Sequence, residues 1–158
     1  PDSSPDDRVR VMSMAQVGLT ADESAWADIP GQSPDKGGVT ALTTRRALLM
    51  GDDRKDSMTA LWAAAGALMH FATDDPSQPI PAVIDLSGWA NTTQSLDSFI
   101  RHELGELGAY LDTMLRDKRL AFLFDGLDSL SPERKNQVEA FLAANPDVIS
   151  IVDLTPNR

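Results

Sequence analysis

The chain has 158 residues, 42% of them apolar, no cysteine and a formal net charge of −10 at pH 7. Its length suits one domain on the usual scale of ~100–200 residues, and its apolar share supports a packed core rather than a disordered chain. The absence of cysteine excludes disulfides, thiolate nucleophiles and Cys-type zinc sites. The negative balance argues against nucleic acid and anionic membranes, which call for clustered Lys and Arg.

The longest apolar run, residues 60–69, is about half the ~20 residues that a membrane helix needs. No signal peptide is visible, and a cytoplasmic location is the expectation. The chain opens on Pro1 rather than Met and stops just past a strand-like run, so it reads as a piece of a longer polypeptide.

Residues 1–7 are Pro, Ser and Asp and read as a frayed leader. Residues 9–14 alternate weakly and could form a short strand at a sheet edge. Residues 18–38 hold Pro30, Gly31, Pro34, Gly37 and Gly38 and read mostly as loop, with room for a helical turn or two over 19–26. The whole stretch 1–38 is therefore expected to be an N-terminal extension, and 39–158 a regular domain.

Ala47-Leu48-Leu49-Met50 is a short apolar run ended by Gly51, the pattern of a strand buried on both faces. Met58, Leu61, Trp62, Ala65, Leu68 and Met69 then recur at helical spacing and predict a helix over 58–71 with Asp56 or Ser57 as N-cap. Residues 80–86 read as a second strand. Leu96, Phe99, Ile100, Leu104, Leu107, Leu111 and Met114 make one apolar stripe and predict a single long helix, with Arg116, Lys118 and Arg119 suited to its negative pole.

Residues 120–124 are the third predicted strand. Ser131-Pro132 reads as an N-cap with proline at the first helical position, opening a helix through Val138, Phe141 and Leu142 that Asn145-Pro146 stops. Residues 148–152 are the fourth. Buried strands alternating with helices predict a parallel sheet covered on both faces.

The ordered set of segments resembles the NACHT-type members of the STAND class of P-loop signalling NTPases. Residues 43–52, Thr-Thr-Arg-Arg-Ala-Leu-Leu-Met-Gly-Asp, resemble their approach to the phosphate loop. Residues 80–86 resemble their second strand and 95–100 the start of the next helix. Leu123-Phe124-Asp125-Gly126-Leu127-Asp128 is similar to their Walker B segment, followed by Pro132-Glu133-Arg134, and residues 148–158 resemble the sensor strand ending in Thr and Arg. The resemblance implies a three-layer α/β sandwich with a mainly parallel sheet, P-loop NTPase-like, in strand order 2-3-4-1 and truncated after the fourth core strand.

The phosphate-gripping motif itself departs from the pattern. A working loop needs glycines that turn successive N–H groups inward, a Lys for the β/γ-phosphates and a Ser/Thr for Mg²⁺. Laid on that motif, Gly51 keeps the first glycine, while Asp56, Ser57 and Met58 fall on the last glycine, the lysine and the metal-binding hydroxyl. Using Lys55 as the lysine puts Arg54 in a glycine position. Asp52, Asp53 and Asp56 would also face a triphosphate, and like charges ~4 Å apart repel by ~1 kcal/mol in water and ~4 kcal/mol at an effective dielectric of about 20.

The candidate nucleotide-binding positions are thus Gly51, Lys55, Ser57 and Thr59, in a loop read as non-functional. Asp125 and Asp128 are the Walker B-like metal candidates, read as vestigial; a solvated strand-end carboxylate and a turn residue are the plainer readings. Ser129 stands where the family usually has Glu, so hydrolysis is not expected and no catalytic residue is assigned. The acidic-basic cluster at 52–56 is either a partner-binding loop or a solvated turn. Arg158 matches the sensor arginine, or is a frayed end. His70 and His102 read as surface or helix-terminal rather than as ligands. Trp26, Trp62 and Trp89 read as core or core-edge, Trp26 being the one to check for an exposed contact.

These readings make the leading expectation a non-catalytic pseudo-NTPase module, without cofactor, in a larger and by resemblance bacterial signalling or defence protein. Its partners would be other domains of that protein or a protein partner, with self-association open. The alternatives are a functional Mg-ATP or GTP switch with a divergent loop, and a small-molecule or peptide binder at the carboxyl ends of the strands.

Overall fold

The computed structural model describes residues 46–51 and 53–156, together with the backbone of residues 9–13. The expectations for residues 14–45, which include Trp26, and for Asp52 and Arg158 lie outside the described residues.

Five strands form one sheet in the order β1-β2-β5-β4-β3. They are β1 (Val9–Ser13), β2 (Arg46–Gly51), β3 (Ile80–Asp85), β4 (Leu120–Asp125) and β5 (Ile149–Asp153). The last four are mutually parallel, and β1 joins the free edge of β2 antiparallel, as the edge strand expected from residues 9–14. Counting only the parallel strands gives the order 2-3-4-1 that the resemblance implied, with β5 between the first and third.

Among the described residues there are also four α-helices: α1 (Arg54–Asp74), α2 (Leu96–Glu103), α3 (Leu111–Arg116) and α4 (Pro132–Ala144). Residues alternate between the faces of a strand, and two cores follow. Ala47, Leu49, Ala121, Leu123, Ile149 and Ile151 pack under Ala60, Leu61, Ala64, Ala65 and Leu68 of α1. Leu48, Met50, Ile84, Phe122, Phe124 and Val152 pack on the other face against residues of α2, α3 and α4. A helix on one face and three on the other is the arrangement of a three-layer α/β sandwich. Half of the buried positions of α1 are alanine, a strong helix former whose small side chain lets the helix axis approach the sheet. Among the described residues no helix is long and apolar enough to cross a membrane.

Three expectations need correction. The first predicted helix begins at Arg54, not Met58, and its N-cap is Asp53 rather than Asp56 or Ser57. Apolar spacing does not register a first turn made of Arg, Lys and Asp. The long helix over 96–114 is broken into α2, a 3₁₀ segment over Gly105–Tyr110, and α3. Gly105 adopts φ +60°, which ends α2 in the left-handed region. A Cβ at Gly108 would fall 2.1 Å from the Arg101 carbonyl oxygen, so the chain can fold back only because residue 108 is glycine.

The third correction concerns side chains assigned to the core by their spacing. Trp62, Met69 and Leu107 are 56%, 46% and 46% exposed. Trp89, by contrast, is fully buried. The Arg134 guanidinium sits 4.5 Å from the Trp89 ring centre and donates to the Trp89 carbonyl at 2.6 Å and to that of Thr92. The Pro-Glu-Arg arginine therefore works here as a strut between α4 and the loop after β3. Helix α4 starts as its sequence dictates, with the Ser131 hydroxyl accepting from Arg134 N and Pro132 opening the helix.

Candidate functional site

The carboxyl ends of β3, β4 and β5 each finish on an aspartate. Asp85 lies opposite Asp125 in the β3–β4 register, and Phe124 opposite Val152 in the β4–β5 register, so Asp125 and Asp153 are the next residues along on adjacent strands. The pleat places Asp85, Asp125 and Asp153 on the same face as Leu123, Ile151 and helix α1. Asp85 is exposed and accepts from the Ser87 backbone N–H at 3.0 Å and the Ser87 hydroxyl at 2.6 Å, a local turn bond. Asp125 and Asp153 are buried, each only 2% exposed.

Positions 52 and 53 alone separate the last residue of β2 from the first of α1. The eight-residue phosphate loop, Gly-x₄-Gly-Lys-Ser/Thr, needs an open turn across this junction. Here residues 54–58 are already helix. The Asp53 side chain accepts from Asp56 N at 2.8 Å and its carbonyl from Ser57 N at 3.2 Å. A carboxylate of the chain itself thus occupies the anion-seeking helix N-terminus.

The first side chain of α1 closes over the strand ends. Arg54 Nη2 donates to Asp125 Oδ2 at 2.9 Å, with the two side chains 29% and 3% exposed. The contact is charge-assisted and holds a cation against the carboxylate of the Walker B-like segment. Asp125 Oδ1 and Asp153 Oδ2 are buried without a hydrogen-bond partner among the described residues.

Asp153 is tied to its own strand end by the Thr155 N–H, which donates to Oδ1 at 2.9 Å. The Thr155 hydroxyl in turn accepts from Gly51 N at 2.8 Å, stitching the end of β5 to the end of β2. Burial pushes the Asp153 carboxyl up to about 6; hydrogen bonding to Thr155 and Ser57 opposes that rise, and Coulombic repulsion from Asp125 adds to it.

The structure thus separates the four loop candidates. Gly51 is buried at the end of β2, where a Cβ would lie 3.2 Å from both the Asp53 carbonyl oxygen and the Ser57 Cβ. Ser57 is buried beside it, with its hydroxyl 3.2 Å from the Arg54 carbonyl oxygen. Lys55 and Thr59 are exposed one helical turn apart, and the Thr59 hydroxyl donates to the Lys55 carbonyl at 2.9 Å. Of the two metal candidates, Asp125 is buried in the cluster, while Asp128 is exposed on the 3₁₀ turn after β4.

Two residues of this site were not singled out from the sequence, Asp153 and Arg54 as the partner of Asp125. A signal for Asp153 exists: Ile84-Asp85, Phe124-Asp125 and Val152-Asp153 repeat one pattern, an apolar strand ended by an acid. Gly126 supports the cluster from below. It takes φ +78°, and a Cβ there would meet Ser87 N at 2.8 Å and Asp85 Oδ1 at 2.9 Å.

Among the described residues no group of three or more His, Asp or Glu is arranged to hold a metal ion. Shallow clefts of about 420 and 480 Å³ lie at the opposite end of the sheet, around Lys118 and Asp147. Comparison with protein-family models, with curated proteins and with solved structures finds no match.

Proposed function

We propose that this chain is a pseudo-NTPase module, a P-loop-like α/β domain that binds no nucleotide and acts through contacts with other domains or proteins. One observation carries the reading: both charged ligands of a nucleotide site are replaced from within the chain. The Asp53 carboxylate caps the helix end where a phosphate would sit, and the Arg54 guanidinium stands on Asp125 where a divalent cation would sit. A triphosphate entering here would have to displace the first, and its metal the second. It would then meet helix in place of a loop of inward N–H groups.

The resemblance to NACHT-type STAND domains supports a place in a multidomain signalling or scaffolding protein. The outer side of α1 fits a role in contacts, since it exposes Trp62, Ala63, Gly66 and Met69 with no charge among them. Calorimetric titration with Mg-ATP and Mg-GTP tests the proposal, with no heat of binding expected up to millimolar nucleotide. Affinity tighter than roughly millimolar would replace it with the alternative, a nucleotide switch with a divergent loop.

A further inference from the structure

We propose that the outer side of α1 pairs with the same surface of a second copy of this chain, antiparallel about a twofold axis at the level of Ala64. This rests on the reading of that side of α1 as a contact surface, and it deepens that reading by naming the partner.

Helix α1 carries no charged residue over positions 57–69, in a chain whose formal net charge is −10. Its inner side is accounted for by the core under it. Its outer side holds Trp62, 56% exposed, and Met69, 46% exposed. A tryptophan is the side chain whose burial most often anchors an interface. Between them stands Gly66, also exposed. Glycine is the poorest residue for a helix interior after proline, yet a Cβ added at 66 would meet no atom within 4 Å. Among the described residues nothing in the chain itself requires glycine there. Close approach of a group from outside does.

A second copy supplies that group. Trp62 and Gly66 are one helical turn apart on the same face. Two such helices laid antiparallel about a twofold axis set each Trp62 on the other copy's Gly66, so one patch provides both knob and hole. The ends match in charge as well. Helix α1 opens with exposed Lys55 and closes with exposed Asp74, followed by exposed Asp75, and the same register carries Lys55 of one copy to the Thr73–Asp75 end of the other. Asp74 also meets His70 of its own helix at 3.3 Å, a contact open to solvent. The two helix dipoles run in opposite directions, which adds to the attraction. Elsewhere two strongly negative chains repel, so an uncharged face with opposite charges at its two ends is where they can meet. A lone pair of helices about 30 Å long falls short of the ~1,200–2,000 Å² of a stable interface. The expected dimer is therefore weak, with a micromolar to millimolar Kd.

Sedimentation equilibrium of the chain from micromolar to millimolar concentration tests this. Wild type is expected to show a reversible monomer–dimer equilibrium, and Trp62→Ala and Gly66→Leu each to weaken it at least tenfold. Gly66→Leu should keep or raise the melting temperature of the monomer, since leucine is the better helix former; that separates a lost interface from a damaged fold. Lys55→Glu should also weaken the dimer, and Lys55→Glu/Asp74→Lys should restore it, as only the antiparallel register predicts. A wild type that stays monomeric through about 1 mM overturns the proposal. A dimer indifferent to Trp62→Ala and Gly66→Leu, or association that continues past the dimer, overturns it too. Nucleotide binding by the wild type would refute the pseudo-NTPase reading and leave the pairing standing, whereas a monomer that binds no nucleotide overturns the pairing alone.

Discussion

Arg54 and Asp125 are joined across 71 positions of sequence by a 2.9 Å hydrogen-bonded ion pair that ties the first turn of α1 to the end of β4. In the proposed reading the contact is half of what stands in for a bound ligand at this end of the sheet, and its energetic consequences can be measured. Removing the guanidinium leaves a carboxylate buried against apolar strands, which costs more than the bond itself contributed. Arg54→Gln should destabilise by about 1–3 kcal/mol in urea unfolding, below the usual loss for fully buried pairs because the arginine is partly hydrated. Arg54→Gln/Asp125→Asn should cost less than the sum of the two single changes by about 1 kcal/mol or more. Strict additivity would mean that the pair contributes no coupling.

The other half is Asp53. Its carboxylate satisfies an N–H of the first turn and carries charge of the sign that a helix N-terminus favours. Asp53→Ala should cost about 1 kcal/mol, and Asp53→Ser or Asp53→Asn much less. Equal losses for all three would show that the side chain does not act as the cap.

Asp153 makes stability depend on pH in an unusual direction for an acid. Its carboxyl is pushed up from an ordinary 3.8 to about 6, so the folded state holds this proton more tightly than the unfolded chain does. This contribution favours folding below about pH 4. It is lost as pH rises through about 6. The penalty above pH 6 is on the order of 2–3 kcal/mol, from the ~1.4 kcal/mol that each unit carries. Asp153→Asn should raise the melting temperature at pH 7–8 and flatten its decline between pH 4 and 7. A variant that melts lower at pH 8 while keeping the wild-type slope would contradict this.

Gly126 is fixed twice over, by its left-handed φ and by the approach of the Ser87 N–H and the Asp85 carboxylate. Gly126→Ala should therefore lose at least ~1 kcal/mol for the conformation alone, and more from the contact. A loss under ~0.5 kcal/mol would mean that the loop after β3 simply moves aside.

The sequence makes much of this fold legible, because strands buried on both faces read as short apolar runs and each ends at a turn residue. Ser131-Pro132 and Asn145-Pro146 bracket α4 for the same local reasons that they form caps. The break between α2 and α3 was hidden because Leu104, Leu107 and Leu111 continue an apolar stripe straight through it. Gly105 and Gly108 carried the contrary signal, but only the backbone conformation and the nearby Arg101 carbonyl show its force. Trp62 and Met69 were misplaced for a related reason, since they border the buried stripe of α1 on its solvent side.

The site was half legible. Asp125 stood out from its strand, and residues 51–58 carry a single glycine and no Gly-Lys-Ser/Thr sequence. What no spacing announces is a contact between positions 54 and 125, or the pairing of Asp125 with a carboxylate 28 positions later. Both arise from the strand order, which brings β5 beside β4 and α1 over their ends.

The most direct test of the replaced-ligand account is a ¹⁵N amide spectrum recorded as Mg-ATP is added to the wild-type protein. The backbone N–H groups of Gly51 and residues 53–59 should hold their positions through millimolar nucleotide, because Asp53 and the first turn of α1 already satisfy that helix end. Saturable shifts at Gly51, Ser57 and Met58, appearing together with loss of the Arg54–Asp125 contact, would contradict it.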